Sequence, residues 1–282
     1  MDKEQTLHGA GLGLRREMLD EVLSHSPDVV SFYEVAPENW IPLGGKYAKK
    51  FRQLTEQHSF TTHGLSLSIG SPAALDVDFV KQVKAFLDLH NISVYSEHLS
   101  YCSGEGHMYD LMPIPFTEDA VAHVVSRVKT VQDIIERPLV LENVSYYAAP
   151  GQQLSEIEFT NAVLEGADCE LLLDVNNIYV NSINHGYDAE TFLAALPTHR
   201  IRYGHIAGHY NEDVDLIVDT HGADVITPVW QLLQKAYEIH GVFPTLLERD
   251  FNIPPLSELA KEVKLIKKQQ SEAMSNPKVC YG

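Results

Sequence analysis

Basic side chains are scarce: 21 Lys and Arg stand against 39 Asp and Glu in 282 residues, a formal charge of −18. Such a balance repels phosphate backbones and argues against a nucleic-acid substrate. Part of it reads as site carboxylates that a bound cation would neutralise. Cysteine is scarcer still. Cys102, Cys169 and Cys280 are odd in number and widely spaced, which excludes a disulfide framework and a CxxC site. No apolar stretch is long enough for a signal peptide or a membrane span, so a cytoplasmic location without membrane contact is expected. Long polar tracts and internal repeats are also lacking, and the composition is that of a globular chain. The Gly-rich segment GAGLGLR precedes the first expected strand, the wrong context for a phosphate-binding loop.

What is present is a rhythm. Short runs rich in Val, Ile and Leu end near Glu34, His63, His98, Glu142, Asp174, His205, Asp219 and Glu248. They are mostly non-alternating, as expected of strands buried on both faces. Helical patterns lie between them. Asp76 and Thr117 are placed to cap two helices, Ser155 and Glu158 have capping-box spacing, and Thr227-Pro228 opens a helix that stops at Gly241. Strand alternating with helix predicts a parallel α/β fold, and eight such strands predict closure into a (β/α)₈ TIM barrel rather than an open doubly wound sheet. We expect one domain over 1–282, with a mobile tail over 269–282 in which Cys280 is a bystander.

In such barrels the active site lies at the carboxyl ends of the strands, where these donors fall. Oxygen and imidazole donors without thiolate favour iron, manganese or zinc. Each residue alone has an ordinary explanation. His63 or His98 reads equally well as a core histidine held by a carbonyl, Glu142 as a salt-bridge partner, and Asp174, Asn176 and Asn177 as cap and turn formers. Taken together, donors at all eight strand ends point to a metal site. Asp219 and His221 alternate on one side of an extended segment, a plausible bidentate grip. His205 and His209, four apart, need not converge. Asp250, two residues after Glu248, reads as a ligand or as a supporting acceptor.

The segments HGLSLSIG, SEHLSY, YDLMPIPFT, LENVSYY, LLLDVNNIYVNSINHG, GHIAGH, DTHG and LLERD, with FYEVAPENW near the start, resemble the multinuclear non-haem iron-dependent oxidases. The resemblance runs from about Gly11 to Lys268. It implies a barrel similar to those of xylose isomerase and apurinic endonuclease. It also implies dioxygen-dependent modification of cysteine residues in a ribosomally made precursor peptide, as in the oxazolone and thioamide pair of methanobactin, with a partner protein that presents the peptide. Two or three irons per chain, mixed Fe(II)/Fe(III), are implied. One would be held by His63, His98 and Glu142, a second would share Glu142 with Asp174, His205 and Glu248, and a weaker third would lie near Asn177, Asp219 and His221, with a contribution from His209. Glu34 falls outside that ligand set and becomes a wall or supporting residue. Asp110, Asn143, Asn176, Asp250 and Arg15 are candidates for contacting peptide or supporting the ligands; for Asp110 and Arg15, loop structure weighs equally. A metal-dependent sugar isomerase or phosphoesterase on the same barrel is the alternative, and a metal-storing protein without turnover is a third reading.

Overall fold

The computed structural model describes residues 7–104 and 106–275. Among the described residues twelve strands occur in chain order: β1 (Ala10–Gly13), β2 (Phe32–Val35), β3 (Ser59–His63), β4 (Tyr95–His98), β5 (Tyr101–Ser103), β6 (His107–Met112), β7 (Leu139–Glu142), β8 (Glu170–Asp174), β9 (Ile201–Ile206), β10 (Tyr210–Asp213), β11 (Leu216–Val218) and β12 (Thr245–Leu247). Eight close into a barrel in the order β1-β12-β9-β8-β7-β4-β3-β2, while β5-β6 and β10-β11 are separate two-stranded sheets. The TIM-barrel expectation is met.

One barrel strand differs from expectation. The run ending at Asp219 forms β11, which pairs antiparallel with β10 outside the barrel. The missing member is β1, inside the GAGLGLR segment, with parallel register Leu12↔Leu247 on one side and Gly11↔Phe32 on the other. Glycine disfavours strands on propensity, but here it answers a packing demand, because a Cβ on Gly11 would overlap the Phe32 ring.

The helices form where the caps indicate. Asp76 accepts from Phe79 N at 2.9 Å and opens the helix Val77–His90, which buries Val80, Val83, Phe86 and Leu87. That spacing is one face of a 3.6-residue period. Thr117 caps Glu118–Ile135, whose Val124, Val128, Val131 and Ile135 face inward. Ser155 and Glu158 complete a reciprocal capping box at the start of Glu156–Ala167. Such caps contribute about 1 kcal/mol each.

Of the tail expected over 269–282, residues 276–282 lie outside the described residues. Residues 269–275 continue the helix Leu256–Ser275. Gln270 is buried and donates to the carbonyls of Gly9 (3.0 Å) and Phe243 (3.1 Å), which anchors what reads as polar sequence. Cys280 lies outside the described residues.

The chain divides into two compact units. One spans Val35–Leu172, and the other combines the described residues up to Glu34 with those from Leu173 onward. The first has an aromatic core around Phe51, stacked on Trp40 at 4.3 Å and packed with Phe60 and Phe86. The second is built on Leu12, Tyr203, Leu233, Leu246 and Val263, all essentially inaccessible to solvent.

Candidate metal centre

In the Val35–Leu172 unit, β3, β4 and β7 deliver His63, His98 and Glu142 from their C-terminal ends. The register pairs His63 with Ser96 and His98 with Glu142, so these side chains emerge at one level. His63 Nε2 lies 3.1 Å from His98 Nε2, and the Glu142 Oε2 lies 3.2 Å from the first and 3.3 Å from the second. Two imidazole nitrogens and a carboxylate oxygen within reach of one another form a donor set for one cation. The tautomer agrees. The Ser96 hydroxyl spends its proton on the Thr62 carbonyl at 3.1 Å, so it accepts from His63 Nδ1 at 2.8 Å. The Nε2 lone pair of His63 therefore points into the donor set.

Beneath this set are groups that the sequence reading missed. Glu38 Oε1 accepts from Leu65 N (2.8 Å), Ser66 N (2.9 Å) and Ser66 Oγ (2.9 Å), pinning the loop that follows His63. Glu97, fully enclosed, accepts from the Tyr95 hydroxyl at 2.6 Å. Burial, reinforced by the charge of Glu38, pushes its pKa up to about 8. A signal for these residues did exist: Ser96 and Glu97 directly precede His98, and Glu38 lies in PENW.

The second unit gathers Asp174, His205 and Glu248. Asp174 ends β8 and also caps the helix Val175–His185. One of its oxygens accepts from Asn177 N at 2.6 Å, while the other lies 4.0 Å from His205 Nδ1. The segment after Asp174 is thus helical rather than an open turn, and the helix N-terminus favours the anion. His205 Nδ1 also faces Glu248 Oε2 at 3.0 Å, and its Nε2 faces Glu34 Oε1 at 2.9 Å. The other Glu34 oxygen accepts from the Tyr203 hydroxyl at 2.6 Å.

A third set in this unit comprises His221, Glu248 and Asp250. His221 Nε2 is 2.8 Å from Asp219 Oδ1, and its Nδ1 is 3.4 Å from Glu248 and 3.2 Å from Asp250. Burial opposes its charge, yet Asp219, Glu248 and Asp174 outweigh burial and push its pKa up to about 10. Its backbone is left-handed, with φ at 48°. For a non-glycine residue that conformation costs energy which the surroundings must supply. Arg15 is ion-paired with Asp250 and donates to the Arg249 carbonyl, so it braces this set.

Asn176 and His209 form a side branch. Asn176 accepts from His209 Nδ1 at 2.7 Å and donates to Asp219 at 2.8 Å, and His209 stacks on Tyr179. His209 is not a member of any donor group of three among the described residues. Asn177 is buried in the first turn of the helix that Asp174 caps. Asp110 is exposed on β6, in the β5-β6 sheet. Asn143, directly after Glu142, is buried and lines a small pocket of about 20 Å³ with Leu99, Ile114, Phe116, Tyr146 and Phe159.

Residues 9–271 match the family model described as RiPP precursor modification enzyme MbnB/TglH/ChrH. A UPF0276 protein of Shewanella sediminis is 70% identical over 260 residues, covering 92% of this chain and 94% of that one. Another, from Pseudomonas aeruginosa, is 52% identical over 268 residues, covering 95% and 94%. Among solved structures, a xylose isomerase domain protein from Planctomyces limnophilus aligns with a TM-score of 0.63 at 12% identity, over 95% of this chain and 99% of that chain. Endonuclease IV from Thermus thermophilus aligns at 0.62 and 13% identity, over 94% and 100%. These two show the fold alone.

Proposed function

Since the chain belongs to the MbnB/TglH/ChrH family of RiPP precursor modification enzymes, we propose that it is a multinuclear iron-dependent oxidase that uses dioxygen to modify cysteine residues of a ribosomally made precursor peptide. The observation that carries this reading is the convergence of His63, His98 and Glu142, with the His63 lone pair fixed toward the other two. Two neutral imidazoles and one carboxylate suit a divalent ion with open coordination positions, as in non-haem iron oxygenases. Asp174, His205 and Glu248 are proposed to hold a second iron. Sharing of Glu142 between the two ions, implied by the family resemblance, belongs to the same proposal. A third ion is assigned to the region of Asn177, Asp219, His221 and Asp250, with His209 as an accessory.

Bound iron would supply open positions for a substrate thiolate and for dioxygen. The protein's own groups do the rest. Ser96 keeps the His63 nitrogen unprotonated, Asp174 is held by the helix it caps, and Asn143, next to the Glu142 ligand, is proposed to contact peptide or support that ligand. A partner protein that presents the peptide is part of the proposal, as is a cytoplasmic setting; among the described residues no helix is long and apolar enough to cross a membrane.

The test is anaerobic purification with metal analysis and Mössbauer spectroscopy, followed by mass spectrometry of a cysteine-bearing peptide encoded beside the gene, incubated with protein, Fe(II) and dioxygen. Two to three iron equivalents and a dioxygen-dependent mass change are expected. A zinc-only protein inert to dioxygen, or one that isomerises a sugar, would overturn the assignment.

A further inference from the structure

We infer that Glu34 is the positioning residue of the second donor set: with Tyr203 behind it, Glu34 holds the Nε2 proton of His205 and so presents Nδ1 as the metal-binding atom. The inference rests on the metal-binding part of the proposed function and not on the peptide chemistry. Its geometry is a relay across two strands. Tyr203 and His205 lie two residues apart on β9, a spacing that places them on one side of the strand. Both reach the carboxylate near the end of β2: the Tyr203 hydroxyl donates to Glu34 Oε2 at 2.6 Å, and His205 Nε2 lies 2.9 Å from Oε1. Each oxygen of Glu34 is therefore engaged on the side of His205 away from the other donors. The opposite nitrogen, Nδ1, faces Glu248 at 3.0 Å and Asp174 at 4.0 Å. A carboxylate that both accepted from histidine and bound the same ion would have to face both ways, and Glu34 does not.

All the groups are shut away from water. Tyr203 and His205 are inaccessible and Glu34 is 6% exposed. A charged acceptor there raises the basicity of the imidazole on its far side, as carboxylate–histidine–metal arrangements do. The contrast with the first donor set is chemical. His63 is held through Nδ1 by a neutral hydroxyl and offers Nε2, whereas His205 is held through Nε2 by a carboxylate and offers Nδ1. The two histidines are thus oriented by opposite ring nitrogens, and His205 is the stronger donor.

The experiment needs neither peptide nor dioxygen. In the zinc-loaded protein, long-range ¹H–¹⁵N spectra with the His205 ring assigned should show a protonated Nε2 and a metal-bound Nδ1. Fe(II) affinity, measured anaerobically by chelator competition, should fall about 10–100-fold for one equivalent in Glu34→Gln, the range typical of lost supporting carboxylates. The other equivalents should keep their affinity, and saturating iron should restore full stoichiometry. Glu34→Gln keeps an acceptor and the side-chain shape, so it separates charge from folding. Tyr203→Phe should give a smaller loss of the same equivalent. Unchanged affinity in Glu34→Gln, a metal-bound Nε2, or permanent loss of one equivalent at saturating iron, which would make Glu34 a ligand, overturns the inference. A protein that passes these tests but leaves every peptide unmodified would sink the oxidase reading and leave the role of Glu34 standing.

Discussion

Ser96 fixes His63 in a single tautomer: its hydroxyl proton is committed to the Thr62 carbonyl at 3.1 Å, and the oxygen accepts from His63 Nδ1 at 2.8 Å. A ligand histidine left without such a partner can rotate or protonate on the wrong nitrogen. Ser96→Ala should therefore weaken Fe(II) binding at the His63, His98 and Glu142 set by about tenfold or more, while the circular dichroism spectrum is kept. Anaerobic chelator competition reads the loss. Wild-type affinity at every equivalent would remove Ser96 from the site.

Glu97 supplies a pH prediction with a definite sign. Its folded pKa lies near 8, raised from the usual carboxylate value of 4.5 by burial and then by Glu38. A raised folded value favours the protonated form, so the associated stability is complete below about pH 4.5 and is lost as pH rises through 8. Ionising a carboxyl held this far above its ordinary value removes stability on the order of a few kcal/mol. Glu97→Gln should melt close to wild type at pH 5 and above it at pH 9. Parallel melting curves across that range would show that Glu97 does not titrate as described.

His221 titrates in the same direction for a different reason. In the metal-free protein its folded pKa is raised to about 10 from 6.5, because Asp219, Glu248 and Asp174 outweigh the effect of burial. Its contribution to stability is complete below about pH 6.5 and is lost as pH rises through 10. A metal ion at this imidazole must displace the proton, so affinity there should rise by about tenfold per pH unit below 10. Asp219→Asn should lower the pKa of His221 in an NMR titration. An unmoved midpoint would show that Asp219 is not the partner.

Much of this architecture was legible in the sequence, and the exceptions have physical causes. The strand ends at His63, His98, Glu142, Asp174 and His205 were readable because buried parallel strands are continuous apolar runs that stop at the site. The caps at Asp76, Thr117 and Ser155 were readable because capping is local. β1 was hidden because AGLG carries glycine where the Phe32 ring needs room, a demand set by a strand about 20 residues away. The Asp219 run misled because Leu216–Val218 has strand character but pairs with β10 in a hairpin. Ser96 and Glu38 carried only the hint of their places before His98 and in PENW, and Tyr203 carried none, because their roles depend on neighbouring strands and loops.

The close approach at β1 can be tested directly. Gly11→Ala adds a methyl group that overlaps the Phe32 ring. The ring is fully buried and cannot swing into solvent. Overpacking of this kind costs about 1–3 kcal/mol, so chemical denaturation should show a lower midpoint with an unchanged slope. Gly11→Ala combined with Phe32→Leu should recover part of the loss. Equal stability of wild type and Gly11→Ala would show that the strand yields freely at this point.

His98 and Glu142 decide whether the first donor set is the reaction centre. They face each other in register at the ends of β4 and β7, with Glu142 Oε2 within 3.3 Å of His98 Nε2 and 3.2 Å of His63 Nε2. His98 and Glu142 are polar members of the donor set, and Glu142→Ala also relieves the cost of enclosing a carboxylate. Both variants should fold, and both should lose at least one iron equivalent and all peptide turnover. Mass spectrometry of the peptide, metal analysis and a thermal melt on the same preparations separate the outcomes. A folded variant that keeps full iron content and full turnover would exclude this set as the catalytic centre.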